Sequence, residues 1–198
     1  YAMKEQGLTD QEARDRCWLF DTKGLVVKKR ERLEDFKKPY AKSFDHLESF
    51  VECIEKIKPT AIVGVSTTPK LFTREVIEAM TKINDHPLIF PLSNPTSQEE
   101  CSAKEAYEHS DGKALFAAGV LFDPVDLKGR TFYPAQANNL WIFPAVGMAI
   151  CATEAKRVTD EMFLVAAKTL AEQVTDEQIQ SGMLFPPESD IIKVSLQI

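Results

Sequence analysis

Three short apolar runs constrain this chain more than any other feature: Ala61-Ile62-Val63-Gly64-Val65, Leu88-Ile89-Phe90-Pro91-Leu92 and Ala114-Leu115-Phe116-Ala117-Ala118-Gly119. None alternates apolar with polar residues, as a strand with one wet face does. The first two lead into segments of helical character. Thr73 stands before Val76, Ile77, Met80 and Ile83 at helical spacing, and Thr96 to Glu99 reads as a capping box before the next helix. Continuous apolar strands separated by amphipathic helices belong to a parallel sheet covered on both faces. The expected fold class is therefore α/β, a doubly wound parallel sheet.

Upstream of that core, Thr9-Asp10-Gln11-Glu12 is a capping box that opens a short helix through Arg16. Cys17-Trp18-Leu19-Phe20 reads as a buried strand closed by Asp21, with a turn over Thr22-Lys23-Gly24. The basic stretch Lys28 to Lys42 is expected on the surface, and Leu47, Phe50, Val51, Ile54 and Ile57 mark a helix that stops at Lys58-Pro59. Downstream come a Pro/Gln/Asn loop from Pro134 to Asn139, an apolar helix to about Glu154, and an amphipathic helix carrying Phe163, Ala167, Leu170 and Val174. In Val194-Ser195-Leu196-Gln197-Ile198 the alternation favours a strand over a helix. Tyr1 to Gly7 reads as the tail of a helix and Ile198 has no cap after it. Residues 1–198 are thus expected to be one partial domain, truncated at both ends.

A net charge of −6 over 198 residues gives no general attraction to nucleic acid or to an anionic membrane surface. No stretch approaches the roughly 20 uninterrupted apolar residues of a membrane helix. Cys17, Cys53, Cys101 and Cys151 lie far apart, with no zinc-ligand spacing or disulfide framework, which fits a reducing compartment. The expectation is a soluble cytoplasmic protein, with a mitochondrial address the competing one.

In such sheets ligands bind beyond the carboxyl ends of the strands. Asp21, closing an early strand, is either a ribose-binding carboxylate or a solvated one. A dinucleotide fold also needs glycines after its first strand to cradle the pyrophosphate. The eight glycines here, at 7, 24, 64, 112, 119, 129, 147 and 182, never fall in G-x-G spacing, so the first strand and its loop are expected upstream of Tyr1. Asn94 lies between an apolar strand and Pro95-Thr96, as a turn residue or as a ligand-binding amide. Of Asn138-Asn139, helix capping accounts for one amide and leaves the other for a polar ligand. Lys28-Lys29-Arg30 and Lys37-Lys38 are either solvated surface or a site for a 2′-phosphate. His46, His86 and His109 lack metal-ligand spacing, and Tyr40, Tyr107 and Tyr133 have no base beside them in the sequence.

Together these segments resemble the malic enzyme family. Trp18-Leu19-Phe20-Asp21-Thr22-Lys23-Gly24 is similar to the family segment ending the second strand of the nucleotide domain. Then follow, in family order, Leu92-Ser93-Asn94-Pro95-Thr96-Ser97 with Glu100-Cys101, Phe122-Asp123-Pro124-Val125, Tyr133-Pro134-Ala135-Gln136-Ala137-Asn138-Asn139 with Ile142-Phe143-Pro144, and Leu184-Phe185-Pro186-Pro187. The resemblance implies a Rossmann-like domain of an enzyme that oxidises malate with NAD or NADP, decarboxylates the product and releases pyruvate. It implies that Asn94 and Asn138 contact malate, and that Asp21, Lys37, Ser66 and Asn139 contact the cofactor. Of the lysines, Lys37 is singled out because Phe36-Lys37-Lys38-Pro39 is similar to the segment carrying a phosphate-facing lysine in NADP-preferring members. The resemblance also implies that the acid, base, arginine, glycine-rich loop and ligands for Mg²⁺ or Mn²⁺ lie in the remainder of a homo-oligomeric enzyme, so that the isolated chain is inactive.

The sequence departs from the family twice. In Gly64-Val65-Ser66-Thr67-Thr68-Pro69, Thr67 to Pro69 are bulkier than the small, glycine-containing residues usual beside the cofactor, and Ala118-Gly119-Val120-Leu121 stands where the family reads Ser-Gly-Ser-Pro. A non-catalytic module or degenerate paralogue is the alternative these departures keep open. Another hydroxy-acid or amino-acid dehydrogenase would account for Asp21 but not for the two asparagine segments.

Overall fold

A computed structural model describes all residues, Tyr1–Ile198, as two compact units, Tyr1–Pro59 and Thr60–Ile198. In the first unit, α1 (Ala2–Glu5) precedes α2 (Asp10–Asp15), whose start is fixed by the expected Thr9/Glu12 capping box. The strand expected over Cys17–Asp21 shortens to β1 (Phe20–Asp21), paired antiparallel with β2 (Gly24–Leu25) and half-buried. Gly24, whose φ of +88° turns the chain straight back, sets up this pairing, and beyond Leu25 the partner segment leaves it, Val27 bridging to Lys42 instead. A Cβ there would overlap the Leu47 carbonyl oxygen. Residues 28–42 form turns and a 3₁₀ turn, Lys38–Tyr40, but the segment is not uniformly surface. Lys42 is buried, its ammonium donating to the Arg14 carbonyl at 2.7 Å. Helix α3 (Phe50–Ile57) starts later than the apolar spacing suggests because Ser49 caps it. Leu25, Val27, Leu47 and Cys53 form the core of this unit, with Trp18, Phe20, Phe44 and Ile57 against it.

The second unit carries the parallel sheet. Strands β3 (Ala61–Gly64), β4 (Leu88–Pro91), β5 (Leu115–Ala118) and β8 (Ala135–Gln136) lie side by side in that order, all parallel. Helix α4 (Arg74–Ile83) connects β3 to β4, and α5 (Ala103–His109) connects β4 to β5. The capping box before α5 is Ser102/Glu105, whereas Thr96–Gln98 is a separate 3₁₀ turn. Between β5 and β8 runs a hairpin of β6 (Val125–Leu127) and β7 (Arg130–Phe132), with no helix in the crossover. Part of the expected 134–139 loop is thus the fourth strand of the sheet. Two residues are too short a run for periodicity to reveal.

Burial of the sheet on both faces holds for β5 but not for β3. Ile62 and Gly64 are buried while Val63 and Val65 are 53% and 71% exposed. Strand β3 is an edge strand, and its β-branched composition masks an alternating environment. Behind the sheet, Val76, Ile77 and Met80 of α4 and Ala106 and Tyr107 of α5 are buried, as are Ile62, Ile89 and Phe116 of the strands.

Four helices follow: α6 (Phe143–Thr153), α7 (Asp160–Ala171), α8 (Asp176–Gln180) and α9 (Ile191–Gln197). On α7 the inward stripe is Ala166 and Leu170, with Phe163 48% exposed, so the expected face is rotated from the observed one. The expected strand over 194–198 is helical. Ile191, Val194 and Ile198 share one helical face and pack with Trp141, Leu170 and Phe185. That tertiary cluster overrides the local alternation. No helix is long and apolar enough to cross a membrane.

Candidate functional site

Parallel pairing sets the carboxyl ends of the four strands along one edge. Gly64 of β3 is opposite Pro91 of β4, and Ala118 of β5 is opposite Gln136 of β8. The loops leaving that edge hold Ser66 after β3, Asn94 after β4, Gly119 after β5 and Asn138-Asn139 after β8. Backbone bonds carry the alignment past the strand ends: Leu92 donates to the Gly64 carbonyl at 2.8 Å, Gly119 to Pro91 at 3.0 Å and Ala137 to Ala118 at 2.8 Å. Four of the six residues singled out from the sequence are therefore neighbours along one edge.

Their side chains are available in different degrees. Asn94, which precedes Pro95 through a cis peptide bond, is exposed and makes no side-chain hydrogen bond within the chain. Asn138 Oδ1 accepts the Leu140 N–H at 3.0 Å and caps the 3₁₀ turn Asn139–Trp141, which leaves its Nδ2 as a donor. The Asn139 side chain is exposed and unpaired. One amide of the pair caps and the other does not, as the sequence led one to expect.

Beneath this edge sits a group that sequence reasoning did not single out. Glu100 is 0% exposed, its Oε1 accepting the Ser93 hydroxyl and its Oε2 the Ser93 N–H at 3.4 Å. Ser93 Oγ in turn accepts the Thr67 N–H at 3.0 Å. In the sequence Glu100 figures only within the Glu100-Cys101 match and carries no role, because a glutamate in the polar run Ser97-Gln98-Glu99-Glu100 reads as surface. Neighbouring Glu99 is also buried, and burial pushes its carboxyl above the usual range. Tyr107 is a packing residue, stacked on Phe132 at 4.6 Å, with burial pushing its hydroxyl far up.

The first unit gathers the other two candidates. Lys37 Nζ lies 2.7 Å from Asp21 Oδ2 and 3.2 Å from Glu34. Arg30 grips both Asp21 oxygens at 2.9 Å and also donates to the Gly24 carbonyl. The Lys23 N–H adds a bond to Asp21 Oδ1 at 2.9 Å. Burial raises the Asp21 pKa, but Lys37, the Lys23 amide and Arg30 outweigh it and bring the carboxyl down to about 2. Asp21 and Lys37 are thus direct partners. The sequence reads Arg30, with Lys28-Lys29, as solvated surface or a 2′-phosphate contact and does not single out Glu34; the fold-back of residues 28–37 brings Arg30 onto Asp21 and Glu34 beside Lys37.

Both departures noted in the sequence have structural expression. Thr67 takes a left-handed conformation, with φ of +54°, where glycine is the comfortable residue. Leu121 is 68% exposed and lines an apolar cleft with Phe122, Tyr133, Trp141 and Phe185.

Comparison with known proteins settles the family. The profile of the family "Malic enzyme, NAD binding domain" matches residues 1–198. The chain belongs to the malic enzyme family. It is 48% identical over 189 residues to the NADP-dependent malic enzyme of Vitis vinifera, covering 95% of this chain and 32% of that protein. With NADP-dependent malic enzyme 1 of Arabidopsis thaliana it is 47% identical, over 100% of this chain and 34% of the other. With a chloroplastic NADP-dependent malic enzyme of Oryza sativa subsp. japonica it is 46% identical, over 95% and 30%. This malic enzyme domain spans about a third of the length of the curated relatives it matches.

The residues present fit a nicotinamide nucleotide. Taken separately, the second unit offers unpaired amides on its sheet edge, and the first unit offers a buried Arg30 Nε–H without a partner. For a divalent metal the donor set does not fit: no three His, Cys, Asp or Glu side chains cluster.

Proposed function

We propose that this domain supplies nucleotide and substrate contacts to an enzyme that oxidises malate, decarboxylates the product and releases pyruvate. The observation that carries the reading is the common sheet edge bearing Ser66, Asn94 and Asn138-Asn139, in a chain of the malic enzyme family. The bound nucleotide supplies the acceptor for the hydride that leaves malate. Asn94 and the free Nδ2 of Asn138 donate to malate oxygens and orient the substrate. Ser66 and Asn139 face the nicotinamide end of the nucleotide. Asp21 and Lys37 serve its adenosine end, with Lys37 meeting a 2′-phosphate and Asp21 holding the ammonium in place. That assignment makes NADP the preferred cofactor, with NAD the weaker one, in agreement with the NADP dependence for which the relatives are named.

Acid, base and the ligands for Mg²⁺ or Mn²⁺ are then assigned to the remainder of the enzyme chain. Exposed apolar residues such as Phe143 and Leu196, 75% and 77% exposed, support coverage by that remainder or by further subunits of a homo-oligomer. The cytoplasm is the proposed compartment, consistent with four unpaired cysteines. Left-handed Thr67 and exposed Leu121 favour the second reading, a degenerate module without turnover.

One assay separates the readings. The full-length protein, given malate, NADP and Mn²⁺, is expected to form reduced nicotinamide and pyruvate, and residues 1–198 alone to form neither. A full-length protein without turnover supports the degenerate module, and turnover by the isolated domain removes the division of labour proposed here.

A further inference from the structure

We propose that Ser93 and Glu100 are positioning residues, a buried relay from Glu100 through Ser93 to the Thr67 amide that holds the loop after β3 in its nucleotide-facing shape. The proposal rests on the placement of Ser66 and Asn94 given above. Glu100 is fully buried and forms no ion pair, so its burial needs compensation from hydrogen bonds. Both of its oxygens are directed at one residue, Ser93, through the hydroxyl and the backbone N–H. With its hydrogen committed to Glu100, the Ser93 hydroxyl presents only a lone pair to the Thr67 N–H, 3.0 Å away. The carboxylate thereby fixes the direction of the serine, and the serine fixes the loop.

The loop needs such a device. Thr67 is β-branched and sits at φ +54°, a conformation that persists only where the surroundings over-determine it. The far half of the loop is tied by backbone bonds, Lys70 N–H to the Glu99 carbonyl and Phe72 N–H to the Glu100 carbonyl, both at 3.0 Å. For the near half, which bears Ser66, the anchor from the neighbouring loop is the Ser93 hydroxyl. Gly64 completes the arrangement, because a Cβ there would overlap the Glu100 side chain, Cγ included, at 2.6 Å. Ser93 also directly precedes Asn94, so one relay couples the nucleotide-facing and malate-facing loops. A residue retained only for packing would not need to be a carboxylate here, since an apolar side chain of similar volume fills the space without the desolvation cost.

The test uses the full-length enzyme with Ser93→Ala, Glu100→Gln and the double variant, reading NADP affinity by titration calorimetry beside kcat, KM and Tm. Ser93→Ala removes only a hydroxyl and is expected to weaken NADP binding about tenfold, the size of one lost buried hydrogen bond. Glu100→Gln turns an acceptor into a donor facing the Ser93 N–H and is expected to weaken binding comparably. In the double variant the two losses should not multiply, because both act through one hydroxyl. A folded Ser93→Ala protein with unchanged NADP affinity, or losses that multiply independently, overturns the relay. If Glu100→Gln does not fold, Ser93→Ala decides alone. A wild type that binds NADP without oxidising malate overturns the function proposed above and leaves the relay to the binding series. A wild type that binds no nucleotide overturns both.

Discussion

Asp21 accepts hydrogen bonds from Arg30, Lys37 and the Lys23 amide, and its ionised form is favoured down to about pH 2. Its folded pKa lies below the unfolded value near 3.8, so its contribution to stability is complete above that value and disappears as pH falls through about 2. For a group this shielded the contribution is about 2 kcal/mol. Asp21→Asn is expected to cost about that much at neutral pH and to flatten the loss of stability between roughly pH 4 and 2. Urea unfolding of wild type and variant across that range measures it. The same cluster limits cofactor choice, since Lys37 is shared between Asp21 and Glu34 before any phosphate arrives. Lys37→Gln is expected to lower the NADP/NAD ratio of kcat/KM by about tenfold. Glu34→Gln should raise that ratio, because it releases one competitor for the ammonium. A ratio unmoved by both changes would leave these lysines as solvated surface. Asp21 and Lys37 were legible in the sequence as separate candidates. Their pairing was not, because it depends on the path of residues 28–37, which carries no periodicity.

Elements with a strong local signal were legible, namely the Thr9/Glu12 cap, the apolar strands and the helices α3 and α4. Those decided by tertiary packing were not. Helix α9 is the clearest case, since alternation of Val194, Leu196 and Ile198 indicates a strand, while Val194 is 1% and Leu196 77% exposed. A strand would put both on one face; a helix separates them. Val194→Ala is expected to destabilise the protein by about 1 to 3 kcal/mol through loss of contacts with Trp141 and Leu170, and Leu196→Ala by less than about 0.5. Equal costs in chemical denaturation would contradict the helix. Strand β8 was missed for a related reason: its two residues become a strand only through pairing with β5.

At the scale of the whole molecule, the parallel sheet gathers residues far apart in sequence, Ser66, Asn94 and Asn138-Asn139, along one edge. The sequence named Asn94, Asn138 and Asn139 because asparagines beside Pro and Gln stand out in a loop, and Ser66 only through the family resemblance. It gave no role to Glu100 beneath them, which only its burial brings out. The central claim is that this edge meets malate and its nucleotide in the working enzyme. The most direct measurement is kcat/KM for malate in the full-length enzyme and in Asn94→Ala, with Tm recorded for both. Asn94 is exposed and unpaired within the chain, so the account predicts an unchanged Tm and a loss of about 1 to 3 kcal/mol in transition-state binding, roughly five- to 150-fold in kcat/KM. A folded Asn94→Ala enzyme with wild-type kcat/KM for malate would contradict it.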